Sequence, residues 1–333
     1  MQRVTIMEVA RLAGVSPSTV SLYLRKAEAV AGPTGVLVAR AVDFLGYVPN
    51  SMAGSLAAAS SRIVCVVVPS IRSDLIFESM STLQTTLLAQ GLQLLLSYSA
   101  DLPIQEETIV RTSLSWAPVA IVLTGLEHTR TTRKILLNGN TPIIEMWDLG
   151  PSPIDMAVGF VHRDVGACAT RHVLKQGRRR VAFLGAQMEA NRRAAQRARG
   201  FEVAAVEEGL APPPVFNVPE RPSVDAGATL LGRALESEPH LDAVVCSNDL
   251  IALGVLFECQ RRGLAVPEQL AVVGFGDLPF ASGSVPPLTT MRVGDRIGHE
   301  VAGLILAGLG GSVVPPSERI VNTGFQLVRR GSA

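Results

Sequence analysis

Residues 4–24 read VTIMEVARLAGVSPSTVSLYL, and this stretch predicts two short helices joined by a glycine turn. Thr5 followed three residues later by Glu8 is a capping box, so we expect the first helix to begin at Ile6. Gly14 can adopt the left-handed backbone conformation that ends a helix in a tight turn. Such a pair of helices is typical of a helix-turn-helix.

The second helix of the pair is expected to carry an outward row of hydroxyl groups. Ser16 can cap it, and Pro17 suits its first turn because proline has no amide hydrogen to lose there. Val15 and Val20 are expected to pack inward. The residues expected to face outward are Ser16, Ser18, Thr19 and Ser21. Short hydroxyls suit phosphates and base edges in a DNA major groove. A helical hairpin on a core surface is the alternative, but two capped helices around one glycine favour DNA binding.

A third helical segment, Val36–Leu45, completes this unit and is followed by Gly46. Up to Asn50 the chain has five basic and three acidic residues, and the resulting charge of +2 is low for a DNA-binding headpiece. The whole chain carries only +1. We therefore expect affinity for DNA to depend on pairing two headpieces.

The composition indicates a globular protein of more than one domain. Its 333 residues exceed one typical domain, and a hydrophobic fraction of 47% supports a large buried core. The apolar runs are strand-length and no signal peptide opens the chain, so we predict a cytoplasmic protein without a membrane span. The four cysteines lack metal-ligand spacing and are expected to be reduced core residues. No metal site and no cofactor are predicted.

After Arg62, apolar strand-like runs alternate with amphipathic helical stretches, which predicts parallel sheets covered on both faces. The strand-like runs are Ile63–Pro69, Leu92–Tyr98, Ala120–Thr124, Ile143–Met146, Ala182–Leu184, Ala243–Cys246 and Ala271–Gly274. Ligands of such sheets bind at the carboxyl ends of the strands.

The sequence contains no catalytic signature. It has neither a nucleophile elbow nor a phosphate loop, and His299-Glu300 lacks the second histidine of a zinc protease, so an enzyme is not expected. The remaining histidines are expected to be surface or cleft polar groups; they are His128, His162, His172 and His240.

The headpiece resembles that of the LacI/GalR family of bacterial transcription regulators, and the similarity then covers nearly the whole chain. The matching stretches are Thr5–Ala10, Ala13–Ser16, Ser18–Ser21 and Leu45–Asn50. In this family the second helix lies in the major groove, and a later hinge helix inserts a leucine into the minor groove. The resemblance implies phosphate contacts from Thr5, Ser16, Thr19, Ser21 and Thr34. It implies base contacts from Pro17 and Ser18 and a minor-groove wedge from Leu56.

Three positions depart from the family pattern. Leu22 stands where the family usually has Arg, Gly35 where it has Arg or Lys, and Gly54 where the hinge has Arg. Each missing cation removes a contact that, as a good bidentate pair to guanine, is worth about 1–3 kcal/mol. We keep Leu22 in the DNA-facing set and expect an atypical operator or weak affinity.

The resemblance divides the chain into an all-α helix-turn-helix headpiece at 1–48, a hinge at 49–61, and an effector-binding and dimerisation domain at 62–333. The hinge reads as a flexible small-residue linker or as a helix that forms only against DNA and its dimer mate, and we favour the conditional helix. The large domain is expected to form two doubly wound parallel-sheet lobes, as in periplasmic binding proteins. The expected segments are 62–161 and 292–323 for the N-lobe, and 162–291 and 324–333 for the C-lobe.

Polar and aromatic side chains lie where predicted strands end, and the matching Arg, Asn and aromatic residues of the family hold a sugar. The candidates for effector contact are Asp148, Phe160, Arg197, Asn248 and Asp277. Asn248 could instead cap the helix that follows it, and Asp277 could be a turn residue. Arg197 could be a solvated charge, although its family position favours a cleft role.

The charge pattern favours an anionic effector. Gly276 stands where the family commonly has an Asp, while Arg192 and Arg193 lie one helical turn before Arg197. Fewer carboxylates and more guanidiniums suit an anion, because Arg–carboxylate pairs are strong and geometrically specific. Arg193 therefore joins the candidates, although Arg192 and Arg193 could also face solvent.

Further stretches resemble the gluconate-utilisation repressors within the family. They are Leu114–Trp116, Leu123–Thr124, His128–Thr129, Asp155–Phe160 and Phe257–Arg261. We therefore expect a homodimeric repressor released from operator DNA by gluconate or a related sugar acid. The alternatives are a regulator that responds to a neutral sugar or a purine, and a cytoplasmic sugar-binding protein without operator function.

Overall fold

The computed structural model describes residues 4–49, 61–70, 74–294, 296–311 and 314–333. The chain separates into two compact units, Met1–Ser61 and Arg62–Ala333. The first unit is helical, and the second contains two β-sheets with their covering helices.

Eleven α-helices and twelve strands lie within the described ranges. The helices are α1 (Ile6–Ala13), α2 (Pro17–Arg25), α3 (Gly32–Leu45), α4 (Asp74–Ala89), α5 (Pro103–Leu114), α6 (Arg130–Leu137), α7 (His162–Lys175), α8 (Arg192–Glu207), α9 (Val224–Ser237), α10 (Asp249–Arg262) and α11 (Ile297–Leu309). The strands are β1 (Ile63–Val68), β2 (Gln93–Tyr98), β3 (Ala120–Thr124), β4 (Ile143–Met146), β5 (Met156–Gly159), β6 (Val181–Ala186), β7 (Val215–Val218), β8 (Ala243–Cys246), β9 (Ala271–Gly276), β10 (Thr289–Arg292), β11 (Ile320–Asn322) and β12 (Gln326–Val328). None of the described helices is long and apolar enough to cross a bilayer.

The first two helices form the predicted helix-turn-helix. Helix α1 begins at Ile6 because the Thr5 backbone amide donates to Glu8 Oε2 at 2.8 Å, as expected for a capping box. Gly14 ends α1 with a φ of 69°, in the left-handed region. Buried apolar side chains of α1, α2 and α3 close a small core: Val9, Ala10, Ala13, Val20, Val38 and Ala41.

Helix α3 is longer than predicted. It begins at Gly32 rather than at Val36, because Pro33 is well suited to a first helical turn and extends the helix toward its amino end. Gly46 ends it in the left-handed conformation with a φ of 59°. A Cβ at Gly35 would lie 3.2 Å from Tyr23 Cε2, so α3 approaches α2 closely at this buried glycine.

Each lobe of the second unit is built on a six-stranded sheet. The N-lobe sheet has the order β11-β5-β4-β3-β1-β2 and is entirely parallel. The C-lobe sheet has the order β12-β10-β9-β8-β6-β7, and only β12 is antiparallel to its neighbour. The predicted fold class is confirmed, with β12 as the exception to parallel pairing.

The chain passes between the lobes after β5, after β10, and between β11 and β12. Strand β11 ends at the cleft between the lobes, so β12 starts there and runs away from it, opposite to the other strands of its sheet. The carboxyl ends of the parallel strands in both lobes therefore face one cleft, where ligands of such folds bind.

Helices cover both faces of both sheets. In the N-lobe, α4 and α11 contribute Leu83 and Val301 to one apolar layer, and α5 contributes Val110 to the other. In the C-lobe, α7 and α8 cover one face while α9 and α10 cover the other. All four cysteines are free and three of them are buried.

Candidate DNA-reading face and effector cleft

The hydroxyls at the amino end of α2 form one connected patch. Ser16 Oγ accepts a hydrogen bond from the Thr19 amide at 3.1 Å and so caps the helix. The same oxygen lies 2.8 Å from Ser18 Oγ and 2.9 Å from Thr19 Oγ1. Ser16 and Ser18 are exposed, and Val20 on the opposite side of α2 is fully buried. The local fold therefore turns these hydroxyls outward by anchoring α2 through its apolar side.

The other predicted DNA contacts differ in exposure. Thr5 and Leu22 are exposed, while Pro17, Ser21 and Thr34 are half-buried. Leu56 and the departure at Gly54 lie outside the described residues. At the other departure in α3, Gly35, a longer side chain would have to pack against the Tyr23 ring, which gives this glycine a local packing role.

A polar cleft of about 680 Å³, open to solvent, separates the two lobes. Its N-lobe wall consists of residues at or after the carboxyl ends of β1, β2, β3 and β4 and of the first residues of α5, and its C-lobe wall is the amino end of α8. The charged or amide side chains lining it are Asp101, Glu106, Glu127, Asp148, Arg192, Arg193 and Gln196. Helix α8 begins here because Asn191 Oδ1 accepts from the Ala194 amide at 3.2 Å.

Two pairs formed by side chains that line the cleft join the lobes across it. Arg192 Nε lies 2.6 Å from Glu127 Oε2, and Gln196 Nε2 donates to Asp148 Oδ2 at 3.3 Å. The first pair is exposed, whereas Asp148 is buried. Residues one turn apart on α8 thus contact different strand-end loops of the N-lobe.

Arg193 lies between these pairs, near two carboxyls. A Cβ at Gly125 would lie 3.2 Å from its Nη1, so the guanidinium reaches the loop after β3. Burial raises the pKa of Asp101 and of Asp148, and the charge of Arg193 opposes both increases. Burial also lowers the pKa of Arg193. The arrangement can offer a guanidinium and two carboxyl oxygens to one ligand.

Phe160 and Arg197 are buried behind the cleft surface. Arg197 Nη1 lies 2.9 Å from His162 Nδ1, Nη2 donates to the Ser247 carbonyl at 2.8 Å, and its guanidinium stacks 3.9 Å from the Phe275 ring centroid. Burial lowers the pKa of Arg197 to about 9, and the charge of Arg193 adds to this effect. Phe160 has no exposed surface, and its ring packs 4.7 Å from that of His162.

Several polar atoms around Arg197 have no hydrogen-bond partner in the part of the chain that the structure describes. They are Trp147 Nε1, Arg197 Nε and Ser247 Oγ, all buried. His162 Nε2 contacts the Trp147 carbonyl at 2.9 Å, so this group of residues connects α7 of the C-lobe to the end of β4 in the N-lobe.

Asn248 and Asp277 are engaged within the C-lobe and are not among the residues lining the cleft. Asn248 caps α10, because its side-chain oxygen accepts a hydrogen bond from the Ile251 amide at 3.0 Å. Helix capping was the alternative to effector contact for this residue. Asp277 pairs with Arg292 and with Arg330, both at 2.6 Å. Its two oxygens are thereby bound by the last residue of β10 and by the segment that follows β12.

Two expectations about this region are wrong. The cleft is not poor in carboxylates, since four line it against two arginines. Three of the four histidines expected at the surface or in the cleft have buried side chains, with His240 the exposed one. The presence of glycine at position 276 also has a conformational explanation that the sequence did not show. Its backbone φ is +129°, a value that residues with a side chain rarely adopt.

Four of the seven charged or amide side chains that line the cleft were not expected from the sequence. Asp101, Glu106, Glu127 and Gln196 line it but were not predicted. The first three lie in segments that follow predicted strands, so the rule used for Asp148 could have found them. Gln196 carried a weaker signal, its position directly before Arg197 in a helix already assigned to the site.

The capped helix-turn-helix and the two lobes around a polar cleft define a DNA-binding regulator with a domain for a small ligand. Residues 5–50 match the profile of bacterial regulatory proteins of the lacI family, and residues 170–333 match the periplasmic binding protein-like domain.

Proteins similar to the chain over nearly its whole length define its family more narrowly than the two domain profiles do. It is 38% identical to the HTH-type transcriptional regulator GntR of Pseudomonas aeruginosa, over 99% of this chain and 96% of that one. It is 32% identical to the regulator of the same name from Escherichia coli K12, over 99% of both. A solved LacI-family transcriptional regulator from Silicibacter pomeroyi matches with a TM-score of 0.93, 30% identity and 99% coverage of each chain. The chain belongs to the LacI family of bacterial transcriptional regulators, which bind operator DNA and small effectors, function as dimers and are not enzymes.

Proposed function

We propose that this regulator is a repressor whose operator affinity is lowered by a small sugar acid, with gluconate as the first candidate. The observation that carries the proposal is the position of Arg193 in the cleft, beside Asp101 and Asp148. A guanidinium binds a carboxylate through two parallel hydrogen bonds, and carboxyl oxygens accept hydrogen bonds from hydroxyls. A sugar acid presents both groups on one short chain. Full-length similarity to two GntR regulators supports the same assignment.

At the DNA, the hydroxyl patch of α2 is proposed to contact the operator. Ser16, Thr19 and Ser21, together with Thr5 and Thr34, would hold phosphates, which fix the position of the helix without reading sequence. Pro17 and Ser18 would face base edges, with the exposed Leu22 beside them. The minor-groove wedge at Leu56 remains a prediction.

Effector binding is proposed to act by closing the lobes. A ligand changes an equilibrium only through its different affinity for the two states, so it must contact both walls. Asp148 stands on the N-lobe wall and Arg193 on the C-lobe wall, so a ligand bound by both favours the closed arrangement. Arg197, Asn248 and Asp277 on the C-lobe side, and Phe160 at the end of the N-lobe strand β5, are proposed to shape the cleft from behind or to meet the ligand after rearrangement.

Exposed apolar side chains on the N-lobe support a homodimer formed through this lobe. Phe77 and Leu88 on α4 are 71% and 54% exposed, and Leu95 and Leu96 protrude from β2. Strand β2 is an edge of its sheet, so a second copy could cover these side chains. We expect the dimer to act in the cytoplasm, where the operator DNA is.

The proposal is tested by calorimetric titration with gluconate, 2-ketogluconate, glucose, ribose and purines, and by gel shift on the promoters of its own and adjacent genes. We expect gluconate or its keto derivative to bind and to release DNA. Arg193→Gln should weaken sugar-acid binding about tenfold or more, as the loss of a charged hydrogen-bond pair requires, while ligand-free operator affinity is retained.

Arg171→Gln, which removes an exposed pair to Glu207 within the C-lobe, is the matched control and should leave both affinities unchanged. The carboxylate-rich wall favours a neutral sugar as the second candidate, because carboxylates accept hydrogen bonds from hydroxyl groups and repel anions. Tight binding of glucose, ribose or a purine without sugar-acid binding would replace the first candidate.

A further inference from the structure

A buried cluster of ionisable side chains lies behind the N-lobe wall of the cleft. His128 follows β3, Glu145 lies within β4, and Glu106 lies on α5. The side chains of His128 and Glu145 have no exposed surface, while that of Glu106 is 12% exposed and lines the cleft. The cluster therefore connects the interior of the sheet to the surface that faces a ligand.

Glu145 needs a cationic partner because of where the strand places it. Ile143 on the same face of β4 and Leu123 at the paired position of β3 belong to a buried apolar layer. A carboxylate in such a layer is costly unless it is paired and hydrogen-bonded. Glu145 Oε2 accepts from the Ile154 amide, and Oε1 lies 3.2 Å from His128 Nε2, with Arg133 farther away at 4.0 Å.

His128 is hydrogen-bonded at Nδ1 and lies against a second carboxylate at Nε2. Its Nδ1 lies 2.7 Å from Glu106 Oε1, and its Nε2 faces Glu145. A ring whose two nitrogens both face carboxylate oxygens is favoured as an imidazolium, because only that form carries a proton on each nitrogen and a positive charge. Burial lowers the pKa of His128, but hydrogen bonds and the negative charges of Glu106 and Glu145 outweigh it and raise the pKa to about 9.

We propose that His128 is a positioning residue, which fixes Glu106 as a specificity-determining acceptor for one hydroxyl of the effector. His128 holds Glu106 Oε1, while Oε2 has no hydrogen-bond partner among the described residues. A fixed, partly buried acceptor rejects ligands that fail to supply a hydroxyl there, because it would then be left unpaired. This inference rests on the proposed function, since it names how the same cleft selects its ligand.

The pair also explains how an acidic wall can accept an anion. Arg192 balances the charge of Glu127, while the imidazolium shares its single charge between Glu106 and Glu145. One of the four lining carboxylates is thereby neutralised, and the charge of a second is partly compensated, before a ligand arrives. Repulsion of a ligand carboxylate is correspondingly reduced, and Arg193 remains to bind it.

The test is a double-mutant cycle read out as stereochemical discrimination. Affinities for gluconate and for its C2, C3 and C4 epimers are measured by calorimetry for wild type, Glu106→Gln, His128→Gln and the double variant. We expect Glu106→Gln to reduce the preference for gluconate over at least one epimer about tenfold, and His128→Gln to shift the same ratio. In the double variant the two effects should not add, because His128 acts through Glu106.

The matched control is Arg111→Gln, which removes an exposed pair with Glu107 on the same helix and should leave every ratio unchanged. Additive effects in the double variant, or unchanged ratios in correctly folded single variants, would overturn the proposal. Melting temperatures of all variants separate loss of folding from loss of discrimination.

Failure of this inference can be distinguished from failure of the proposed function as a gluconate-responsive repressor. If wild type binds a neutral sugar instead, the cycle is run with that sugar and its epimers. If it binds none of them, NMR titration of the His128 imidazole decides the assignment, with a pKa near 9 expected in wild type and a lower one in Glu106→Gln. A wild-type pKa near 6.5 overturns the positioning role in every case.

Discussion

Two buried cations of this chain are held by opposite kinds of neighbours. Arg197 has neutral partners, namely an imidazole nitrogen, a carbonyl and an aromatic face, so burial lowers its pKa to about 9. His128 has two carboxylate partners, and its pKa rises to about 9 despite burial. Both side chains are therefore cationic at neutral pH, but only His128 compensates a buried negative charge.

The raised pKa of His128 predicts a loss of stability at alkaline pH. A group whose folded pKa exceeds its unfolded value contributes stability that is complete below the unfolded pKa and disappears as pH rises through the folded one. For His128 this window runs from 6.5 to about 9. We expect the free energy of unfolding, from urea denaturation, to fall more steeply across it in wild type than in His128→Gln. Equal slopes would show that the imidazole titrates normally.

Among the secondary-structure elements, α7 and α8 show the tightest packing that bears on the cleft. A Cβ at Gly200 would overlap the carbonyl of Arg163, and one at Gly166 would overlap the carbonyl of Arg197. Only glycine lets the two backbones approach so closely. Because α8 carries Arg193 and Arg197, this crossing sets the depth at which the guanidiniums lie.

Gly200→Ala is therefore expected to destabilise the domain by about 1–3 kcal/mol or more, since the overlapping atom belongs to backbone that cannot rotate away. The displaced helix should also weaken effector binding. The control is Gly303→Ala on α11, where a Cβ meets no atom within 4 Å. That change should be neutral or stabilise by up to about 1 kcal/mol, because alanine is the better helix former. Urea denaturation measures both, and equal effects would contradict this account of the crossing.

In the whole effector domain, contacts across the cleft connect the lobes that the three chain crossings join. Arg192–Glu127, Gln196–Asp148 and the 3.4 Å contact from Arg221 to Tyr98 all link a C-lobe side chain to an N-lobe side chain. Each favours the closed arrangement of the two lobes. Effector affinity should therefore depend on them even where they do not touch the ligand.

Glu127→Gln tests this dependence. Exposed ion pairs contribute about 0–1 kcal/mol, so we expect gluconate affinity to fall by up to about fivefold while the melting temperature hardly changes. The difference from wild type should shrink as salt is raised, because exposed charges are screened. Arg171→Gln breaks a comparable exposed pair within one lobe and should have no such effect. A deficit that persists in high salt, or an equal deficit in the control, would rule out an electrostatic link between the lobes.

The sequence alone determined the headpiece and the architecture of the lobes. Capping and helix termination act over three or four residues, so Thr5 with Glu8, Gly14 and Ser16 could be recognised from adjacent letters. The central buried strands could be recognised in the sequence as apolar runs. The edge strands β7, β11 and β12 could not, because they are partly exposed, form no apolar run and are held by a neighbouring strand of the sheet.

Only the tertiary structure decided which polar residues meet in the cleft. Asp148 and Arg193 were predicted and lie there, whereas Asn248 and Asp277 follow strands in the same way but are bound within the C-lobe. The cleft brings together loops after four strands and the start of one helix, far apart in the chain. Whether a carboxylate there is free, paired or neutralised depends on partners such as His128. These partners lie in distant segments of the chain, and contacts between distant segments produce no periodic pattern in a sequence.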